Sequence, residues 1–221
     1  MRPLLQNAPF CPIPASGSNF NPQNTQCIPV VKIFAFLGIE QNWSFFKGLC
    51  ELLKKFLERM KIKIYTVGGT IDKVYFDRKS KFEVGEPKIG ELLQESNVNF
   101  EYEISSVLRK DSLNMTDQDR QMLFDTIASD KHPYIVVTHG TDTIIQTAKK
   151  LNTIPGKVIV LTGAIVPARF KSSDASFNIG CAVAAVQILT PGVYIAMNGR
   201  IFDPNRVRKN PEKNWFETVE E

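Results

Sequence analysis

The chain has 221 residues, 43% of them hydrophobic and 23% charged, which is enough apolar material for a sizeable core. Its formal charge of +4 sits mostly at the front: residues 1 to 59 hold 6 of the 27 Lys and Arg and 3 of the 23 Asp and Glu, leaving 21 basic against 20 acidic residues afterwards. Nothing in that balance calls for a nucleic acid partner.

Cys11, Cys27, Cys50 and Cys181 form no CxxC pair, so they suggest neither a disulfide framework nor a zinc site, and a cytoplasmic location is expected. The longest apolar stretch, Cys27 to Ile39, is broken by Lys32 and too short to span a bilayer. Neither a transmembrane helix nor a signal peptide is expected.

Residues 1 to 59 contain 6 of the 13 prolines and no Asp or Tyr, whereas all five tyrosines lie in residues 60 to 221. The front reads as Pro, Asn and Ser-rich coil to about Val30. From Asn42 to Arg59 the apolar residues Phe45, Leu49, Leu52, Leu53 and Phe56 fit one amphipathic helix. Two readings stand: a docking helix on a flexible leader, or codons upstream of a translation start at Met60. The domain expected to carry function is 60 to 221.

There strand and helix signals alternate. Ile62 to Val67, Tyr134 to Thr138, Val158 to Thr162 and Val193 to Met197 are apolar nearly throughout, as strands buried on both faces of a parallel sheet should be. Between them, Ile89, Leu92 and Leu93 mark one helix, and Thr116 with Asp119 three residues on reads as the cap of a second. Thr143 to Leu151 supplies a third, and Asp174 to Leu189, rich in small residues, a fourth. Cys181, on the fourth helix, reads as core packing. Alternation with short connections predicts a doubly wound α/β parallel sheet.

Ligands of such sheets bind at the carboxyl ends of the strands. The segments falling there are polar: Gly68 to Asp72 (GGTID), Arg109 to Ser112, His139 to Thr143 (HGTDT), and Gly163-Ala164 with Pro167 to Asp174. Each glycine turn has a structural explanation, because glycine permits positive φ and a threonine or aspartate caps the next helix. Neither GxGxxG nor GxxxxGK[ST] is present, so neither a dinucleotide nor a P-loop site is indicated. Ser112 can be read as a cap before Thr116, and Lys209, within Arg206 to Asn210, as a solvated charge.

GGTID and HGTDT together, in this order and separation, resemble the two active-site signatures of the L-asparaginases. Asp111 to Thr116, Leu161 to Ala164 and Gly192 to Asn198 through Lys209 agree with the same family, so the likeness spans residues 60 to 221. The resemblance implies the amino-terminal α/β domain of that fold without its second, smaller domain. It implies an amidohydrolase converting L-asparagine, or glutamine or another small amide, through a threonine acyl-enzyme with neither metal nor organic cofactor. On it, Thr70 is the nucleophile, and Thr141, Asp142 and Lys209 are the set that accepts its proton. Asp142 also takes the substrate's α-ammonium and Ser112 its α-carboxylate. Asp111, Gly69 and Gly140 complete the binding residues, with backbone N–H groups at the glycine turns as oxyanion donors. His139 reads as a structural neighbour of the site.

Two departures stand out. In full-length members of the family the chain resembles, which are homo-oligomers, the partner subunit adds an acidic residue from the second domain, and no counterpart is expected within residues 60 to 221. On the loop expected from Asp72 to Gly85, where many members carry a tyrosine, Phe82 aligns, with Tyr75 nearby. A binding module that kept the pocket but little catalysis is the alternative reading. A homo-oligomer is the expected assembly.

Overall fold

A computed structural model describes residues 61–76 and 81–219. The helix expected at Asn42 to Arg59 and the start at Met60 lie outside the described residues.

The centre is a six-stranded sheet. In spatial order its strands are β4 (Tyr102–Lys110), β1 (Ile62–Gly68), β5 (Tyr134–Thr138), β6 (Val158–Thr162), β7 (Gly192–Met197) and β8 (Arg200–Phe202). The first five run parallel and β8 returns antiparallel on β7. Strands β1 and β6 are buried at every residue, which is why their sequences are mostly apolar rather than alternating, with Lys63 and Thr66 as the polar exceptions inside β1. Asn198 and Gly199 both take positive φ between β7 and β8, as a tight Asn-Gly hairpin turn demands.

Helices cover both faces. Leu123 and Ile127 of α2 (Asp117–Ser129), with Ile144, Ala148 and Leu151 of α3 (Ile144–Leu151), pack on Val67, Ile135, Val137, Ile159 and Ile195. Ile89 and Leu93 of α1 (Ile89–Glu95), with Ile179, Val183 and Val186 of α4 (Ala175–Ile188), cover Ile62, Ile64, Val136 and Val160. The doubly wound α/β class is therefore as expected from the sequence. Helix α2 opens on a reciprocal cap, Thr116 Oγ1 accepting from the Asp119 N–H and Asp119 accepting from the Thr116 N–H. A cap of this kind stabilises by about 1 kcal/mol.

Three elements differ from expectation. Strand β4 escaped the apolar-run criterion because it is an edge strand, half-buried, whose Glu103 and Ser105 meet Lys61 and Lys63. The segment from Asp72 to Gly85 is not a bare loop: β2 (Lys73–Phe76) and β3 (Lys81–Val84) pair antiparallel, and the Gly85 N–H closes their base on the Asp72 carbonyl at 2.9 Å. Finally β9 (Val207–Asn210) and β10 (Trp215–Thr218) form a separate two-stranded hairpin.

The register of the parallel strands levels their carboxyl ends. Thr66 stands opposite Thr138, and Thr138 opposite Thr162, so the segments leaving β1, β5 and β6 start side by side. Those segments are GGTID, HGTDT and Gly163 to Asp174.

Candidate active site

The two signature turns touch through their main chains. Gly68 and Gly69 hold φ of 95° and 96°, a region where a β-carbon is strained. A β-carbon on Gly69 would come within 2.3 Å of Gly140 Cα, and one on Gly140 within 2.5 Å of Ser112 Oγ. Gly163 closes on the same cluster, since its β-carbon would lie 2.3 Å from the His139 carbonyl oxygen. The absent side chains thus let GGTID, Ser112, HGTDT and the segment after β6 converge. Thr70 and Thr141 each sit one peptide from the Gly69–Gly140 contact.

Thr70 heads a short 3₁₀ turn, Thr70–Asp72, and is half-buried. Ser112 is buried at the start of a second such turn, Ser112–Asn114, which Asp111 caps by accepting the Leu113 N–H at 3.1 Å. The Ser112 carbonyl accepts the Thr143 hydroxyl at 2.9 Å, tying this turn to HGTDT.

Lys209 reaches in from β9. Its ammonium donates to Thr141 Oγ1 at 2.9 Å and to Asp142 Oδ1 at 2.5 Å. A hydroxyl that accepts from an ammonium keeps its own proton to donate onward. Thr141, Asp142 and Lys209, 67 and 68 residues apart in sequence, therefore form one hydrogen-bonded set. Thr141 is buried, while Asp142 keeps 41% of its side chain exposed.

His139 lies fully buried behind the turn. Its Nδ1 stands 2.8 Å from the Gly140 carbonyl, which can only accept, so Nδ1 carries the proton and Nε2 accepts the Thr147 hydroxyl at 2.8 Å. Burial pushes its pKa down to about 4, leaving it a neutral brace. Asp72 is the mirror case: burial raises its carboxyl to about 6 against the opposing pull of the Lys88 N–H, which donates to Oδ1 at 2.9 Å, and of the Arg169 charge. Oδ2 of Asp72 has no hydrogen-bond partner among the described residues.

Asp111 gains a partner that sequence reasoning missed, Lys73 at 2.6 Å. Lys73, Phe82, Arg109 and Asp111 flank a cleft of about 400 Å³. Tyr75 and Phe82 face each other across the β2–β3 hairpin, ring centres 5.3 Å apart and each about half exposed, and Phe82 rests edge-on against Phe170. Both candidates for the loop position thus share one face of the hairpin. No group of three or more His, Cys, Asp and Glu among the described residues is placed to hold a metal ion, and no described helix is long and apolar enough to cross a membrane.

Residues 61–218 match the family model described as Asparaginase, N-terminal. The L-asparaginase of Thermococcus kodakarensis is 30% identical over 162 residues, covering 68% of this chain and 48% of that protein. L-asparaginase 2 of Escherichia coli is 31% identical, covering 67% of this chain and 46% of its own length. The solved structure of the thermostable Thermococcus enzyme superposes with a TM-score of 0.64 at 27% identity, over 72% of this chain and 51% of that one. The chain spans about half the length of the relatives it matches.

Proposed function

The chain belongs to the asparaginase family, and on that premise we propose that it is an amidohydrolase releasing ammonia from L-asparagine through a Thr70 acyl-enzyme. The observation that carries this reading is the Lys209–Thr141–Asp142 set, assembled beside the Gly69–Gly140 contact that lies one residue from each of Thr70 and Thr141.

In acylation the Thr70 hydroxyl oxygen bonds to the side-chain amide carbon. For this step Lys209 acts as the neutral amine: the Thr70 proton passes to Thr141 Oγ1 as the Thr141 proton passes to the Lys209 nitrogen, and the ammonium so formed returns a proton to the departing nitrogen, so the C–N bond breaks with ammonia as the leaving group. Main-chain N–H groups at the glycine turns stabilise the oxyanion. A water then attacks the ester, its proton passes to the same set, and Thr70 is released with aspartate as product. Asp142 pairs with the Lys209 ammonium and takes the substrate's α-ammonium, Ser112 takes the α-carboxylate, and Asp111, paired with Lys73, holds Ser112's turn in place. Neither metal nor organic cofactor enters this scheme.

Tyr75, the hydroxyl-bearing member of the hairpin's aromatic pair, is the residue assigned here to the loop position. Glutamine is included as a second substrate because a relative named glutaminase-asparaginase, from Acinetobacter glutaminasificans, is 39% identical over 80 residues. The same proposal takes the protein to be a cytoplasmic homo-oligomer. A solved relative titled a probable cytoplasmic L-asparaginase, from Campylobacter jejuni, supports that compartment at 30% identity and a TM-score of 0.62. Light scattering of the purified chain reads the oligomeric state.

The deciding experiment is ammonia release from asparagine and from glutamine by the parent and by Thr70→Ala. Turnover abolished in the variant supports the reading. Saturable binding with no ammonia from either protein refutes it in favour of a binding module.

A further inference from the structure

Lys209 is carried by a hairpin that is not hydrogen-bonded into the main sheet, and two strands alone are marginally stable in water. Something must fix the hairpin if the Lys209 ammonium is to meet Thr141 and Asp142. Phe216 supplies depth: it is 2% exposed and packs beside Phe202 and Val207 in the core. Val207, on the facing strand of the same hairpin, is buried beside it, and such apolar packing is non-directional: it fixes depth without fixing the lateral position of Lys209.

Position along the remaining directions comes from Asn198, at the β7–β8 turn. Its side-chain Oδ1 accepts the Phe216 N–H at 2.9 Å. Phe216 is the register partner of Lys209 across the hairpin. Because that N–H points to Asn198 rather than to β9, the Phe216–Lys209 pair is of the non-hydrogen-bonded kind, in which facing side chains stand closest. Asn198 is itself held. Its N–H donates at 3.1 Å to Oδ1 of Asn178, a fully buried residue of helix α4, whose amide also donates to the Gly163 carbonyl at 3.0 Å and to Asp174 at 2.8 Å. A continuous polar chain therefore runs from Gly163 through Asn178 and Asn198 to the strand opposite Lys209.

We propose that Asn198 is a positioning residue: its side-chain amide fixes the β9–β10 hairpin against the end of β7 and so sets the Lys209 ammonium within reach of Thr141 and Asp142. This rests on the amidohydrolase reading, in which Lys209 moves the proton.

The left-handed backbone of Asn198, with φ of 54°, makes a clean test possible. Asn198→Gly keeps that backbone without strain and removes only the amide, whereas Asn198→Asp keeps an acceptor oxygen for the Phe216 N–H. Both variants, Lys209→Met and the parent are compared as full chains for asparagine turnover, thermal melting and exchange of the Phe216 amide proton. For Asn198→Gly, kcat falls about 100-fold, the loss expected for misplacement of a reacting group by about 1 Å, with KM within about threefold of the parent. The Phe216 amide exchanges faster in Asn198→Gly, and Asn198→Asp restores both readouts. A kcat for Asn198→Gly equal to the parent's, with Lys209→Met inactive, overturns the inference and leaves the amidohydrolase reading standing. Lys209→Met as active as the parent removes that reading and the inference with it. If Asn198→Gly does not fold, Asn198→Asp decides: parental kcat and Phe216 exchange support the role, and a reduced kcat with intact melting overturns it.

Discussion

The contact between Gly69 and Gly140 makes a quantitative prediction for Gly69→Ala. The new β-carbon would lie 2.3 Å from Gly140 Cα and 2.4 Å from its nitrogen, where ordinary contacts begin at 3.4 Å, so the two turns must part by about 1 Å. Alanine at φ of 96° adds backbone strain. Strain of about 1–3 kcal/mol and overpacking of about 1–3 kcal/mol together give roughly 4 kcal/mol of destabilisation. For a domain of this size that is a fall in Tm of about 10 °C. Separation of Thr70 from Thr141 by about 1 Å costs about 100-fold in turnover. Gly156→Ala is the control: its φ is 72° but nothing lies within 4 Å of the new methyl. It should melt only about 4 °C lower, through strain alone, and keep parental turnover. Calorimetry and ammonia release on both variants decide. A Gly69→Ala protein that melts with Gly156→Ala, or that keeps parental turnover, would refute the idea that backbone contact sets the spacing of the turns.

Lys209→Met should lower kcat by roughly 10²–10⁴-fold, the range for loss of a proton-transfer group, with stability changed by less than about 1 kcal/mol because Asp142 is 41% exposed; steady-state kinetics beside a urea melt check both halves. Thr147→Val strands the buried Nε2 of His139 without its donor and should cost about 2 kcal/mol, read as a lower urea midpoint at pH 7. Acid has opposed effects. His139, depressed to about 4, supports stability above its unfolded value near 6.5 and withdraws that support as pH falls toward 4. Asp72, raised to about 6, binds its proton more tightly folded than unfolded and so gains stability as pH falls from about 6 toward 4. Asp72→Asn removes the compensating gain, so its urea midpoint should drop more steeply than the parent's between pH 6 and 4.5, and parallel curves would sink this assignment.

The four central strands were legible because burial on both faces favours runs that are apolar nearly throughout, and each was found within a residue or two of its place. Helix α2 was legible through Thr116 and Asp119, whose reciprocal bonds are a local property of four residues. Strand β4 was not, because an edge strand satisfies one side with Lys63 and Glu103 instead of apolar packing. Candidate site residues could be named from the resemblance, but the contacts among them could not: no local rule connects Lys209 to Thr141 across 68 residues. The pairing of Lys73 with Asp111 and the contact of the Asn198 side chain with Phe216 were not foreseen. The Asn198-Gly199 pair signals a tight turn, yet nothing in it says that the side chain reaches the N–H of Phe216.

The Gly69–Gly140 junction also shapes which mutations this domain can absorb. Because main chain meets main chain there, substitutions in the surrounding side chains leave the interval between the turns untouched. Apart from the residues given chemical roles and the buried His139, a saturation scan for folded protein should therefore show its intolerant points at Gly68, Gly69, Gly140 and Gly163, where a single methyl group meets backbone or the Ser112 side chain.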